Sequence, residues 1–428
     1  MKINFIEELK WRGMLHDVMP GTEELLDKET VKGYIGFDPT SDSLGVGNLV
    51  QIMTLLHFQR CGHKPVALLG GATGMVGDPS GKSQERNLLS EDVLQHNLSC
   101  IKKQLEKFLD FSSGSTSAEL VNNYDWFKNF SFLDFIRDVG KYARISSMLA
   151  KDSVKNRMNT EEGMSFTEFT YQLVQGYDFY YLWKHHGVKL QMGGSDQWGN
   201  IVAGTELIHK KEGGQAYALT TPLIKKADGE KFGKTASGNI WLDPAKTSPY
   251  RFYQFWLNAS DEDVVNYIRI FSLKGKDELQ QLESQHSQHP EERLLQKELA
   301  KEITTRVHSS LDCETAIRSS QILFDKKSTP EQLRELPEDV LTSLDVVSIK
   351  TNDYNSLNSV TDLLSVATGG VIFPSKSEAK KMIQQGGVSI NKLKITAPDH
   401  KVNFELLKNK YLLVQKGKKN YYLIKVDD

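Results

Sequence analysis

The order of hydrophobic patterns in this 428-residue chain predicts an α/β fold: a parallel sheet first, then an α-helical domain, then a small α+β unit. Three observations carry that expectation. Short apolar runs (Tyr34 to Phe37, Lys64 to Leu69, Val188 to Met192) alternate with amphipathic helical stretches up to about residue 225, as parallel strands joined by crossover helices require. Beyond Asp243-Pro244 the pattern is helical alone, with heavily charged, Gln-rich surfaces, through Phe324. Near the end, a helix capped by Ser375 and Glu378 and closed by Gly386 precedes short strands and a hairpin between Tyr411 and Val426. The expected division is 1–225, 226–327, a polar, weakly periodic linker at 328–360, and 361–428.

Composition excludes several classes. With 39% hydrophobic and 25% charged residues the chain reads as ordinary soluble globular protein. It has no apolar run of about 18 residues, the length a membrane helix needs. The first ten residues lack the apolar core and cleavage site of a secretory signal. Cys61, Cys100 and Cys313 are far apart, without a Cys-x-x-Cys pair, so neither disulfides nor a metal site is expected and a reducing, cytoplasmic location is. The net charge of −2 hides an asymmetry: residues 371–428 hold twelve lysines against five acidic residues, a net of +7, leaving −9 for the rest. A basic end domain points to a polyanion, and a solvated lysine-rich surface is the plain alternative.

Taken in order, Ile6 to Val18 reads as a short helix in which Trp11 packs. Tyr34 to Phe37 is a buried strand, Asp38-Pro39-Thr40 is turn chemistry, and from Asn48 the apolar residues Leu49, Ile52, Met53 and Leu56 recur at helical spacing. A helix starting there turns free N–H groups and a positive dipole end toward the turn, a ready phosphate site. The glycines between Gly70 and Ser83 allow close backbone approach to a ligand. The strand Lys64 to Leu69 completes a βαβ unit. The glycine-rich stretch from Gly70 to Ser83 is not a Walker loop, because Val76 stands where its first glycine must be, and Gly45-Val46-Gly47 fails the dinucleotide fingerprint at Val50.

Further on, a capped helix is expected from Ser90 to about Leu109, a strand from Glu119 to Asn123, and a helix from Ser131 to Gly140. On the helix from Ser165 to Phe179, Tyr171, Gln175 and Asp178 stand at i, i+4 and i+7 and share one face, either a polar pocket or a solvated stripe. Gly193-Gly194-Ser195-Asp196-Gln197 follows a strand at its carboxyl end, where open α/β sheets bind ligands. A last strand, Ala216 to Ile224, leads into Lys231-Phe232-Gly233-Lys234-Thr235, a lysine-rich loop able to meet a polyphosphate with point charges.

This set resembles the class I aminoacyl-tRNA synthetases, and in detail the bacterial-type tyrosyl-tRNA synthetases. The likeness runs through Gly45-Val46-Gly47-Asn48, the Gly-Gly-Ala-Thr-Gly segment with Asp78, the Tyr171/Gln175/Asp178 helix, Gly193 to Gln197, the Lys231 to Thr235 loop, and the C-terminal unit. It implies a Rossmann-like catalytic domain and an RNA-binding domain of ribosomal-protein type. It further implies that Tyr34 and Asp178 bracket the phenol hydroxyl of L-tyrosine, that Asp78, Tyr171, Gln175 and Gln197 hold the rest of it, and that Gly36, Asp38, Gly47, Gly194 and Asp196 meet ATP. Thr40, position 45, Asn48, Lys82, Arg86, Lys231, Lys234 and Thr235 would serve the phosphates. The implied partners are L-tyrosine, ATP with Mg2+ as a substrate complex, tRNA(Tyr) and a second copy in a homodimer, with Phe166 at its interface and no tightly bound cofactor. The chain departs from the pattern at two places: Gly45 and Asn48 stand where the family signature has histidines. The competing reading, a relative with weakened catalysis kept as an RNA-binding factor, rests on Gly45.

Overall fold

The computed structural model describes residues 3–80, 89–161, 163–229, 232–235, 238–325, 327–417 and 420–427. The chain forms two compact units, 1–247 with 255–307, and 248–254 with 308–428.

The first unit is organised on a six-stranded sheet of β1 (Asp17–Val18), β2 (Lys32–Phe37), β3 (Lys64–Leu69), β4 (Glu119–Asn122), β5 (Val188–Gly194) and β6 (Tyr217–Thr221), in the order β1-β6-β5-β2-β3-β4. All neighbours are parallel except β1, which runs antiparallel to β6. From β2 the chain winds outward through β3 and β4, then returns to the other side of β2 with β5 and β6. The carboxyl ends of β2 and β5 therefore flank a crevice where the winding reverses, the place open α/β sheets offer a ligand. β3 is buried almost throughout, as a strand covered on both faces must be.

Local differences from the expected elements have identifiable causes. The first helix ends at Arg12, closed by Gly13 at φ 72°, and Asp17–Val18 pairs with β6. The helix expected from Asn48 begins at Val46. Neither Val46 nor Gly47 favours a helix start, but the Val46 N–H finds a partner outside the helix, the carbonyl of Ile240 at 3.0 Å. The helix from Glu91 stops at Leu105, and the strand after Ala216 is Tyr217–Thr221. The Phe166–His186 helix runs about two turns further than expected and packs on Trp198–Glu212, where Gly204 permits the approach: a Cβ there would stand 2.8 Å from that of Phe179.

A second tie in this unit is electrostatic. The carbonyls of residues 269 to 274, at and beyond the end of the Asp261–Phe271 helix, are bonded in turn by Arg12, His57, Arg306, Arg12, Arg60 and Arg12. Cationic and N–H donors satisfy carbonyls that a helix end leaves without partners. Arg12 is 1% exposed, and His57 and Arg60 lie at the far end of the Val46–Arg60 helix.

In the second unit, β9 (Asp345–Lys350), β10 (Val388–Ile390), β11 (Leu393–Lys394), β12 (Tyr411–Lys416) and β13 (Asn420–Asp427) form a sheet in the order β11-β10-β12-β13-β9. The stretch 328–360, expected as a linker, corrects to ordered structure: it supplies the helices Pro330–Glu335 and Glu338–Leu341 and the edge strand β9, parallel to β13. Only Ile349 of β9 is buried, so its sequence carries no alternating signal. The division at 225/226 and 327/328 gives way too, since 226–247 and 255–307 belong with the first unit and 308–327 with the second. At the Lys376–Gln384 helix, the Ser375 hydroxyl accepts from Glu378 N–H and Gly386 adopts φ 69°, as its sequence requires.

Candidate active site

A cavity of about 290 Å³ opens at the carboxyl ends of β2 and β5. β2 and the turn after it contribute Tyr34, Gly36, Asp38 and Thr40, and the first turn of the Val46–Arg60 helix contributes Gly47 and Asn48. Tyr171, Gln175 and Asp178 all face into it from the Phe166–His186 helix, which makes their shared face a pocket wall and not a solvated stripe. Asp78, Gly194, Asp196 and Gln197 close the other side. Gly45 is not in the lining: it caps the helix, bridges to Trp241 and has no side chain to extend. Lys234 and Thr235 form β7, paired with β8 (Gly238–Asn239), and also stand off the cavity wall. Lys82, Arg86 and Lys231 lie outside the described residues.

The inner end is a polar network sealed in apolar packing. Asp178 is 0% exposed and accepts from Asn123 Nδ2 at 3.0 Å and Trp126 Nε1 at 2.9 Å. Burial pushes its carboxyl up to about 8 despite those two donors. Asn123 also donates to Thr73 Oγ1 at 3.1 Å and accepts from Ala72 N–H at 2.6 Å. Thr73 in turn donates to Asp38 Oδ1 at 2.7 Å, while the Tyr171 hydroxyl donates to Asp38 Oδ2 at 2.8 Å. Burial, and then the charge of Asp38, raises the Tyr171 phenol.

Against this satisfied network, four buried polar atoms of residues that line the cavity have no hydrogen-bond partner: Tyr34 Oη, Gln51 Oε1, Gln175 Oε1 and Gln191 Oε1. Tyr34 and Gln191 sit opposite each other in the β2–β5 register, so their side chains share a face of the sheet. Unmade bonds of this kind cost on the order of 1–3 kcal/mol each, which a polar ligand recovers.

The outer end is acidic on one side and a helix start on the other. Gln197 Nε2 donates to Asp78 Oδ2 at 2.9 Å, and Ser80 N–H to Asp78 Oδ1 at 2.9 Å. Asp196 is raised by burial and by facing Asp78. Two carboxylates side by side suit a cationic group and a pair of hydroxyls. Across the cavity, Asn48 Oδ1 accepts from Gly45 N–H at 3.1 Å, which leaves its amide N–H₂ as the group able to donate outward at the helix N-terminus.

Sequence reasoning missed Asn123, Thr73, Trp126 and Gln191. Gln191 did carry a signal, a polar residue inside the apolar strand Val188–Gly194, and Asn123 lies just past the carboxyl end of β4, where such sheets place ligand groups.

Comparison with known proteins gives a consistent account. The family described as tRNA synthetases class I (W and Y) matches residues 26–324, and the tyrosine–tRNA ligase SYY-like C-terminal domain matches 343–424. The tyrosine–tRNA ligase of Cytophaga hutchinsonii is 61% identical over 426 residues, spanning 99% of each chain, and that of Bacteroides fragilis is 58% identical over 428 residues with the same coverage. Among solved structures, a C-terminally truncated mitochondrial tyrosyl-tRNA synthetase from Aspergillus nidulans superposes with a TM-score of 0.67 at 32% identity, covering 75% of this chain and 94% of that one.

Proposed function

This chain belongs to the class I tRNA synthetases of the tryptophanyl and tyrosyl type, and from that premise we propose that it ligates L-tyrosine to its tRNA. ATP and tyrosine give tyrosyl-adenylate and pyrophosphate, and the tyrosyl group then passes to the 3′ end of tRNA(Tyr) for protein biosynthesis.

The observation that carries tyrosine over tryptophan is the inner end of the cavity. The buried carboxyl of Asp178 and the unpaired hydroxyl of Tyr34 offer two polar partners. A phenol hydroxyl both donates and accepts and can use both, whereas an indole has one N–H donor and no acceptor. With the ring at that end, Tyr171 and Gln175 flank it, Asp78 meets the α-amino group, and Gln197 lies by the carboxylate. Asp196 then takes the ribose hydroxyls, with Gly36, Asp38, Gly47 and Gly194 letting the nucleotide approach backbone.

In the first step a tyrosine carboxylate oxygen attacks the α-phosphorus of Mg·ATP in line, and the bond to the departing pyrophosphate breaks. In the second, the terminal ribose hydroxyl of the tRNA attacks the activated carbonyl and AMP leaves. No side chain serves as a covalent nucleophile. Catalysis comes from positioning and from charge at the phosphates, assigned to Thr40, Asn48, Lys231, Lys234 and Thr235, with Lys82 and Arg86 alongside. Magnesium arrives with the nucleotide.

The net +7 of residues 371–428 supports backbone contacts with tRNA from the second unit. Phe132, Leu133, Ile136, Ile145 and Phe166 of the first unit are large apolar side chains left exposed, which supports a homodimer interface there. No helix among the described residues is long and apolar enough to cross a membrane, and a cytoplasmic site of action suits the role.

Tyrosine-dependent exchange of pyrophosphate into ATP, followed by acylation of tRNA(Tyr), tests the proposal. Exchange driven by tryptophan would overturn the substrate assignment. Absence of exchange with retained tRNA binding would favour an RNA-binding relative instead.

A further inference from the structure

Phe232, which lies between Lys231 and Lys234 in the chain, is wedged into a socket of rings. Its centroid lies 5.0 Å from that of Tyr267, 5.7 Å from Phe271, and 5.8 Å from Phe255 and Trp256. The next residue is pressed against Val46 and Gly47. Gly233 has φ 81°, and a Cβ on it would stand 2.7 Å from Val46 Cγ2 and 3.4 Å from Gly47 N, so no side chain fits. Its carbonyl accepts from Ile240 N–H at 3.1 Å, the Ile240 carbonyl accepts from Val46 N–H at 3.0 Å, and Leu242 N–H donates to Leu44 at 2.8 Å.

The socket is tied to the same helix at its other end. Tyr267 and Phe271 belong to the Asp261–Phe271 helix, whose Ile270 carbonyl is bonded by His57 of Val46–Arg60, and Arg60 of the same helix bonds the Leu273 carbonyl just beyond its end. Phe232 and Gly233 thus fix the backbone immediately before Lys234 relative to the helix start from two sides, one apolar and one through backbone pairing.

We propose that Phe232 is a positioning residue for phosphate chemistry, acting through Lys234: its ring, held in the Tyr267/Phe271 socket, sets where Lys234 leaves the fold beside the N-terminus of Val46–Arg60. The inference rests on the reading above that this helix start receives the phosphates. It separates Phe232 from the tyrosine end of the cavity, which the ring does not line.

The test is the pre-steady-state rate of tyrosyl-adenylate formation in the full chain, with Phe232→Ala, Phe232→Leu, Lys234→Ala and the Phe232→Ala/Lys234→Ala pair. Misplacing a charged group by about 1 Å costs on the order of 10²-fold, so Phe232→Ala is expected to slow the step about 10- to 100-fold. Tyrosine affinity stays unchanged, and Phe232→Leu, which refills the socket, recovers most of the rate. In the Lys234→Ala background, removing Phe232 costs little more, because both changes act on one group. Additive losses in the double variant, an undiminished rate in Phe232→Ala, or tyrosine affinity lost in step with the melting temperature would each overturn the proposal. An inactive parent enzyme would instead overturn the functional reading, and the inference with it.

Discussion

Asn123 donates from its side-chain amide to Asp178 Oδ2 across 3.0 Å, and the same nitrogen reaches Thr73 Oγ1 at 3.1 Å. One amide therefore links the carboxyl at the closed end of the cavity to the Thr73–Asp38–Tyr171 chain along its wall. With Trp126 on its other oxygen, Asp178 already accepts two bonds, and its position is fixed before any ligand arrives. Preorganised partners of this kind let a site discriminate on a single hydroxyl.

Tyr34→Phe is expected to reduce the preference for tyrosine over phenylalanine and to leave the fold intact. The hydroxyl it removes is buried and unpaired, so the folded chain loses no bond and its melting temperature holds or rises slightly. Tyrosyl-tRNA synthetases are themselves the standing example of hydroxyl-based rejection. Pyrophosphate exchange with the two amino acids measures the ratio, and an unchanged ratio would remove Tyr34 from the pocket.

Selection for tyrosine should depend on pH through Asp178. Burial raises its carboxyl to about 8, so below that value it carries a proton and above it the stronger, ionised acceptor faces the phenol. The tyrosine-to-phenylalanine ratio then rises with pH, with a midpoint at or below about 8, and comparing the two amino acids cancels titration of their amino groups. In Asp178→Asn the ratio should be low and flat. A sloping profile in that variant would assign the titration elsewhere.

Acid stability should depend on His57. Burial, then the charges of Arg12, Arg60 and Arg306, holds its imidazole well below the ordinary histidine range, while the Ile270 carbonyl opposes that only in part. As pH falls below about 6.5 the unfolded chain takes up a proton that the folded chain refuses, so the unfolded state binds more protons and stability drops, by at most about 1.4 kcal/mol per pH unit. Denaturant unfolding between about pH 7.5 and 5.5 should show a smaller decline in His57→Gln than in the parent. Identical declines would rule His57 out.

Gly45→His should accelerate adenylate formation with little change in tyrosine affinity. Position 45 is extended, at φ −99° and ψ 172°, so any residue adopts its backbone, but a Cβ there stands 3.2 Å from the Ile240 carbonyl, which must give by a few tenths of an ångström. One preorganised donor at a developing charge is worth roughly 10²–10³ in rate. A gain confined to the transition state leaves ground-state binding alone. If quench-flow shows the histidine variant no faster, position 45 does not serve the phosphates.

Removing residues from 343 onward should spare pyrophosphate exchange and cripple transfer to tRNA. The cut keeps the whole of the first unit and takes β9 together with its partner β13. The lost contacts are mainly ionic, so tRNA binding by the intact chain should weaken steeply with salt. Equal loss of both activities would mean that the C-terminal residues support the fold of the rest.

Much of this was legible in residue order alone. Periodicity located β2, β3 and β5 and the long pocket helix, because buried parallel strands and amphipathic helices leave patterns of period two, unbroken apolar runs or period 3.6. Spacing placed Tyr171, Gln175 and Asp178 on one face. Yet whether that face was wet or a pocket wall depended on what packs over it, and only the sheet settled that. The same holds for Asn123, Trp126 and Gln191, whose neighbours in space come from β2, β5 and the helix, far away in the chain. The edge strand β9 was invisible because a mostly exposed strand carries no burial pattern. The start of the helix at Val46, and the seating of Phe232 and Gly233 against it, were decided by long-range contacts with Ile240, Tyr267 and Phe271. Local sequence sets what a segment prefers, and partners distant in the chain decide where it begins, which face is dry and which polar atoms are left to a ligand.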